Sequence, residues 1–285
     1  MRARQAELPR ALIRGAGDLA TGVALSLHNA GFQVVMTEIA QPTVIRRTVA
    51  FAEAVFEGSQ TVEGVSAERA LPDGIEEVLN RGMVAVVVDP SAEVRTRLSP
   101  DVVVDAILEK RNLGTAMHFS PIVIALGPGF IAGVDVHAVI ETMRGHELGR
   151  IITNGSALAN TGVPGSIEGK TGERVLRAAV GGTVALRKSI GDLVRAGETV
   201  MSVGGTVVVA PFDGCLRGLI REGIHVAAGL KIGDIDPRGE TRYCFMVSDK
   251  ARALGRAVLE AVLMLGREGG TLAIKKMPNA APNKP

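Results

Sequence analysis

The sequence predicts an α/β fold: a Rossmann-like, mostly parallel sheet, then a small all-β unit, then a C-terminal helix. Three observations carry this. A glycine turn, Gly15-Ala16-Gly17, separates apolar Leu12-Ile13 from a helix-like stretch. The apolar runs Met83–Val88, Val102–Ile107 and Pro121–Leu126 read as strands buried on both faces of a parallel sheet. Between residues 178 and 235 a glycine-and-valine pattern repeats, so that Gly214, Gly223 and Gly229 echo Gly182, Gly191 and Gly197.

A chain of 285 residues suits two domains. The expected division is an α/β domain over 10–153, a connection over 154–175 and a β domain over 176–242. A strand and helix follow over 243–268, then a disordered tail over 269–285. Hydrophobic residues make up 46% and aromatics only 3%, so the core is aliphatic. Few rings argue against single-stranded nucleic-acid platforms. The 32 basic and 30 acidic residues are interspersed, which gives no electrostatic case for DNA or RNA. The N-terminus lacks an apolar signal core and no run reaches membrane-span length, so the reading is a soluble cytoplasmic protein without a membrane partner.

Residues 12–38 form a β-α-β unit. Leu12-Ile13 end the first strand, Asp18–Ala30 is the helix and Phe32–Thr37 the second strand, ending on Glu38. Gly15-x-Gly17-x-x-Ala20 matches a dinucleotide fingerprint, and Glu38 stands where such folds place a ribose-binding acid. A turn without ligand is the alternative, and Asp18 would repel a pyrophosphate. Pro42–Phe56 reads as a helix with Ile45, Val49, Ala52 and Phe56 on one face; Arg46 and Arg47 in its early turns are a solvated pair or face an anion. Later strands end in Asp89, Lys110-Arg111-Asn112 and Gly127-Pro128-Gly129. Ligands bind outside such carboxyl ends, so these loops and the Gly15 turn are expected to converge. Asp105 needs a partner, with Lys110 or Arg111 nearby.

His146, between Arg144 and Glu147, is the candidate general acid/base, or a hydrogen-bond donor beside an anion-binding Arg144. The histidines show no metal spacing, so no metal site is expected. Cys215 and Cys244 form no CxxC motif. Asp234 and Asp236 with Arg238 read as a tied-down turn or a cation site.

Each half of the repeat is a small sheet unable to bury its face alone, so the two copies are expected to interlock. The pattern resembles the biotinyl/lipoyl carrier domain, a barrel-sandwich hybrid. Its hairpin, Ser202–Val207, has no lysine, so no biotin or lipoate arm is expected.

Longer strings point further: Ile13–Gly22, Ile45–Val49, Lys110–Thr115, Leu126–Phe130, Glu141–Arg150 and Lys231–Arg238. Together they resemble the YqeB-like family, accessory proteins of the selenium-dependent molybdenum hydroxylase system. The resemblance implies a maturation role, with a molybdenum hydroxylase or other maturation proteins as partners and the molybdenum cofactor or a nucleotide as ligand. The expected site binds that anion through Gly15, Gly17, Asp18, Glu38, Arg46, Arg47, Lys110, Arg111, Asn112, Gly127, Gly129 and Arg144. An NAD(P)-type oxidoreductase, a nucleotide transferase and a non-enzymatic scaffold are the rivals. A homo-oligomer and sulfur or selenium carriage by Cys215 or Cys244 stay open.

Overall fold

The computed structural model describes residues 8–162 and 165–269. The expected tail lies outside them, apart from the end of the last helix. Nine strands make one sheet: β1 (Arg10–Arg14), β2 (Gln33–Glu38), β3 (Ser59–Val62), β4 (Val65–Ala70), β5 (Val84–Val88), β6 (Val102–Asp105), β7 (Ile122–Leu126), β8 (Ala138–Ile140) and β9 (Ile151–Ile152). Their order is β3-β4-β5-β2-β1-β6-β7-β8-β9. From β4 to β8 the pairs are parallel, while β3 and β9 add antiparallel edges.

The apolar runs are central strands because both faces are covered. Ile13, Met36, Val84, Val86 and Val104 pack on one side with α1 (Asp18–Asn29) and α5 (Asp249–Gly269). Leu12, Val35, Ala85, Val87 and Val103 pack on the other with α3 (Ile75–Asn80). The short helix α2 (Ala54–Glu57) joins the first side and α4 (Arg95–Leu98) the second. No helix among the described residues is long and apolar enough to cross a membrane.

Eight more strands follow: β10 (Val175–Arg177), β11 (Gly182–Leu186), β12 (Leu193–Val194), β13 (Thr199–Val203), β14 (Thr206–Val209), β15 (Gly214–Leu219), β16 (His225–Val226) and β17 (Lys231–Asp236). They form two four-stranded antiparallel sheets, β10-β17-β15-β12 and β14-β13-β11-β16. The repeat copies exchange strands: β11 pairs with β16, and β15 with β12. Both sheets contribute to one core, including Val184, Val200, Leu216 and Ile235.

The expected fold class is therefore corrected. In place of a Rossmann-like domain and a biotinyl/lipoyl-like barrel, the chain forms a nine-stranded mixed sheet and two separate antiparallel sheets. Strands β3, β4 and β9 escaped the sequence reading because they are edge or near-edge strands. Polar residues interrupt β3 and β4, and β9 is only the pair Ile151-Ile152, too short to read as a run.

Two local expectations also change. Residues 42–56 do not form one helix but two 3₁₀ turns, Arg47–Val49 and Phe51–Glu53, before α2. The supposed single apolar face is divided: Val49 and Ala52 enter the core under the nine-stranded sheet, while Ile45 and Phe56 pack on the core of the β sheets. One continuous helix would not serve both. Where a strand is expected from residue 243, Thr241–Cys244 form another 3₁₀ turn.

Segment 45–47 is the seam between the two parts. Leu219 N–H donates to the Ile45 carbonyl at 2.8 Å, and Arg47 Nε donates to the Leu219 carbonyl at 2.8 Å. Gly218 is needed here, since a Cβ would lie 2.9 Å from the Ile45 oxygen.

Candidate anion-binding cleft

The site starts at α1. Gly15 has φ +93°, a conformation that favours glycine. Its N–H, however, donates to the Thr37 carbonyl at 2.8 Å, so this amide is not free for a phosphate. The Gly127 amide is likewise taken, by the Ile140 carbonyl at 2.8 Å. The helix N-terminus beyond the turn carries Asp18 and Leu19 into a cleft.

A second helix ends in the same place. Ser248 caps α5, its hydroxyl accepting the Ala251 N–H at 3.1 Å. Helices α1 and α5 run side by side in the same direction: Gly22 meets Ala251 and Gly255, and Ser26 one turn on meets Gly255. A Cβ on Gly22 would lie 2.5 Å from the Ala251 oxygen, so the contact needs glycine. Both N-termini, the positive ends of the helix dipoles, thus open toward one cleft.

The cleft has two lobes that share Leu19, Arg144, Gly165 and Lys250. The first, of 240 Å³, is lined by six cations: Arg46, Arg144, Arg174, Arg217, Lys231 and Lys250. The second, of 350 Å³, has Leu19, Leu108, Pro128, Met143 and Leu158 beside Lys110, Thr142 and Asn160.

Carboxylates compensate only part of the charge in the first lobe. Asp234 is 1% exposed and shared, taking Arg174 Nη2 at 2.9 Å and Arg217 Nε at 2.7 Å. Asp249 holds Arg144 in a bidentate pair at 2.6 and 2.9 Å. Asp18 stands 3.9 Å from Arg46. Asp236 is held by Arg238 in the tied-down turn, at 2.6 and 2.8 Å.

Asp236 also stands 3.4 Å from Arg217; counting it with its partner Arg238, seven cations against Asp18, Asp234, Asp236 and Asp249 leave three positive charges over. Among the described residues, Lys231 and Lys250 make no ion pair within 4.0 Å. Burial pushes the ammonium groups of both below the ordinary lysine range. Burial likewise lowers Arg46 and Arg174. These two guanidiniums are 6% and 4% exposed, and the Nε of each has no hydrogen-bond partner among the described residues. Arg46 is fixed by the Tyr243 and Met246 carbonyls at 2.8 and 2.9 Å, and Arg174 by the Gly165 carbonyl at 2.8 Å. Both Nε atoms are sealed beneath the surface, so what the lobe offers an anion is its excess positive charge rather than these two donors.

Of the expected site residues, Asp18, Arg46, Lys110 and Arg144 line the cleft. Gly17 caps α1 at its edge. The others go elsewhere. Arg47 turns to Leu219 and, at 3.5 Å, to Glu53. Arg111 is exposed, 3.9 Å from Glu109. Asn112 closes its own loop, accepting the Gly114 and Thr115 amides at 2.8 Å. A Cβ on Gly127 would meet Thr142 Oγ1 at 2.7 Å, and one on Gly129 would meet the Arg111 N at 2.6 Å, so both are packing glycines. Glu38 ends β2 and lines neither lobe; burial pushes its carboxyl up to about 7. His146 is exposed on its loop and lines neither lobe. Asp105 pairs with Arg14 at 3.4 Å and accepts Thr115 Oγ1 at 2.5 Å, in place of Lys110 or Arg111.

The sequence reading missed Arg174, Arg217, Lys231, Asp234 and Lys250 as one group. The one signal was the Lys231–Arg238 string, which contains two of them. Cys215 and Cys244 are buried with Sγ atoms 3.4 Å apart, outside both lobes.

No family model matches the chain. It is 53% identical over 259 residues to a protein of Escherichia coli strain K12 named Uncharacterized protein YqeB. That similarity covers 90% of the chain, which spans 48% of the relative's length. Solved structures give weaker likenesses. An aspartoacylase family protein from Mesorhizobium loti is 12% identical at TM-score 0.27, covering 80% of this chain and 85% of that one. A succinylglutamate desuccinylase from Silicibacter sp. TM1040 is 12% identical at TM-score 0.25, covering 80% and 84%. Likenesses at this level carry no argument for fold or activity.

Proposed function

Taking the chain as a YqeB homologue along 259 residues, we propose that it is an accessory protein of the selenium-dependent molybdenum hydroxylase system that holds a phosphate-bearing ligand in the cleft. The ligand would be nucleotide-like or of the molybdopterin type, carried as cargo toward a molybdenum hydroxylase or another maturation protein. The observation behind this reading is the charge imbalance: three positive charges in excess beside two helix N-termini at one place. Of a molybdopterin-type ligand, these residues fit the phosphate end. Lys231, Lys250, Arg46 and Arg174 would supply charge-assisted hydrogen bonds to its oxygens. The oxidoreductase reading loses support, because Glu38, the expected ribose acid, lines neither lobe.

Thermal unfolding with NAD(H), CTP and molybdopterin dinucleotides tests the ligand class. Stabilisation by CTP or the pterin dinucleotides, reduced in a Lys250→Ala variant, is expected. Stabilisation by NAD(H) alone would favour the oxidoreductase. The maturation role is tested separately, by hydroxylase activity in cells lacking the protein and complemented with each variant.

A further inference from the structure

We infer that the cleft takes a diphosphate, with both phosphoryl groups in the cationic lobe and the attached ring in the aliphatic lobe. This rests on the anion-binding reading above and specifies the ligand it would hold.

Charge selects the number of phosphates. A terminal phosphate carries about −1.5 to −2 near neutral pH, so a diphosphate ester brings about three negative charges. The cationic lobe has three positive charges in excess. Extending the count over both lobes adds Lys110 and Glu141, which leaves the excess at three. Glu141 is itself occupied by backbone, accepting the Thr142, Met143 and Leu158 amides at 2.6, 2.6 and 2.7 Å.

Geometry agrees with two groups rather than one. A helix N-terminus serves one anion, and here there are two, α1 and α5, entering side by side. The cations also come from two parts of the fold. Arg46 comes from the seam, while Arg174 precedes β10, which pairs with β17 carrying Lys231.

The second lobe decides the orientation. Leu108, Pro128, Met143 and Leu158 give aliphatic walls, and Thr142 and Asn160 give polar atoms for a ring edge. Because Arg144 and Lys250 line both lobes, they stand where the diphosphate joins the rest of the molecule. The ligand class is thus a nucleoside diphosphate or another heterocycle carrying a diphosphate.

Calorimetric titration of the full chain with orthophosphate, pyrophosphate, AMP, ADP and adenosine tests this. Pyrophosphate is expected to bind at least about tenfold more tightly than orthophosphate, and ADP more tightly than AMP by a similar factor, as even one added charge-assisted contact implies. Adenosine should show no binding. Lys250→Ala should weaken pyrophosphate and ADP alike, whereas Leu158→Ser should weaken ADP and leave pyrophosphate unchanged. Orthophosphate binding as tightly as pyrophosphate would overturn the diphosphate while leaving an anion site. Equal loss of both ligands in Leu158→Ser would overturn the orientation. Failure of every anion to bind would overturn the anion-binding reading itself.

Discussion

Gly22 and Gly255 touch backbone to backbone, and that contact places the two helix N-termini at the mouth of one cleft. A Cβ on Gly255 would overlap both the Gly22 carbonyl oxygen and Ser26 Oγ. The relationship joins residues early and late in the chain. It sets where Leu19 and Lys250 stand relative to each other, since each sits near the start of its helix.

Gly255→Ala is therefore expected to destabilise by about 1–3 kcal/mol, the range for overpacking a filled contact. The helix propensity of alanine offsets only about 1 kcal/mol. Urea denaturation measures the cost. The same variant should bind ligand less tightly, because separated helices carry their N-termini apart.

The shared carboxylate predicts an asymmetry. Asp234→Ala leaves Arg174 without its carboxylate and Arg217 with only Asp236 at 3.4 Å, and breaking a buried pair in this way costs about 3–5 kcal/mol. Arg174→Ala leaves Asp234 still paired with Arg217, so its cost should be smaller. Equal costs in denaturant titrations would mean that the sharing has no energetic weight.

Glu38 predicts a pH dependence. Its carboxyl is pushed up to about 7 from 4.5 by burial. The folded state then binds the proton more tightly than the unfolded chain, so this group lowers stability as pH rises from about 4.5 to 7. Glu38→Gln should remove that loss. Its advantage over the parent should grow across this window and level off above it, reaching about 1–3 kcal/mol.

Cys215 and Cys244 are expected to be unreactive in the folded protein. Both are buried, and burial beside the neighbouring thiol pushes Cys244 up to about 12, leaving almost no thiolate at neutral pH. Labelling by a disulfide reagent at pH 8 should be at least about 100-fold slower than in denaturant. A double Cys215→Ala, Cys244→Ala variant should keep maturation activity. Fast labelling of the native protein would revive sulfur or selenium carriage.

The sequence made the central strands legible because burial on both faces leaves a plain mark, an unbroken apolar run such as Val84–Val88. The swapped repeat was legible as well, from the spacing of its glycines. The mixed edges were not, since β3 is mostly polar and β9 is only two residues long. The site was half legible. Asp18, Arg46, Lys110 and Arg144 lie on loops and helix starts that the strand-end rule brings into view. Arg174, Arg217 and Lys231 come from the antiparallel sheets, and only the docking of β15 on Ile45 brings them there. The fingerprint at Gly15 misled for a physical reason: the turn spends its amide on Thr37 within the sheet.

The most direct test compares two sets of cations in one binding titration. Lys231→Ala with Lys250→Ala removes the two unpaired cations of the first lobe, while Arg111→Ala with His146→Ala removes two expected site residues that lie outside the cleft. With pyrophosphate or ADP as probe and circular dichroism as the check on folding, the lysine pair should raise Kd by about 100-fold, two charge-assisted contacts' worth. The other pair should leave Kd within about twofold. Binding lost in the Arg111 and His146 variant and kept in the lysine variant would contradict the cleft.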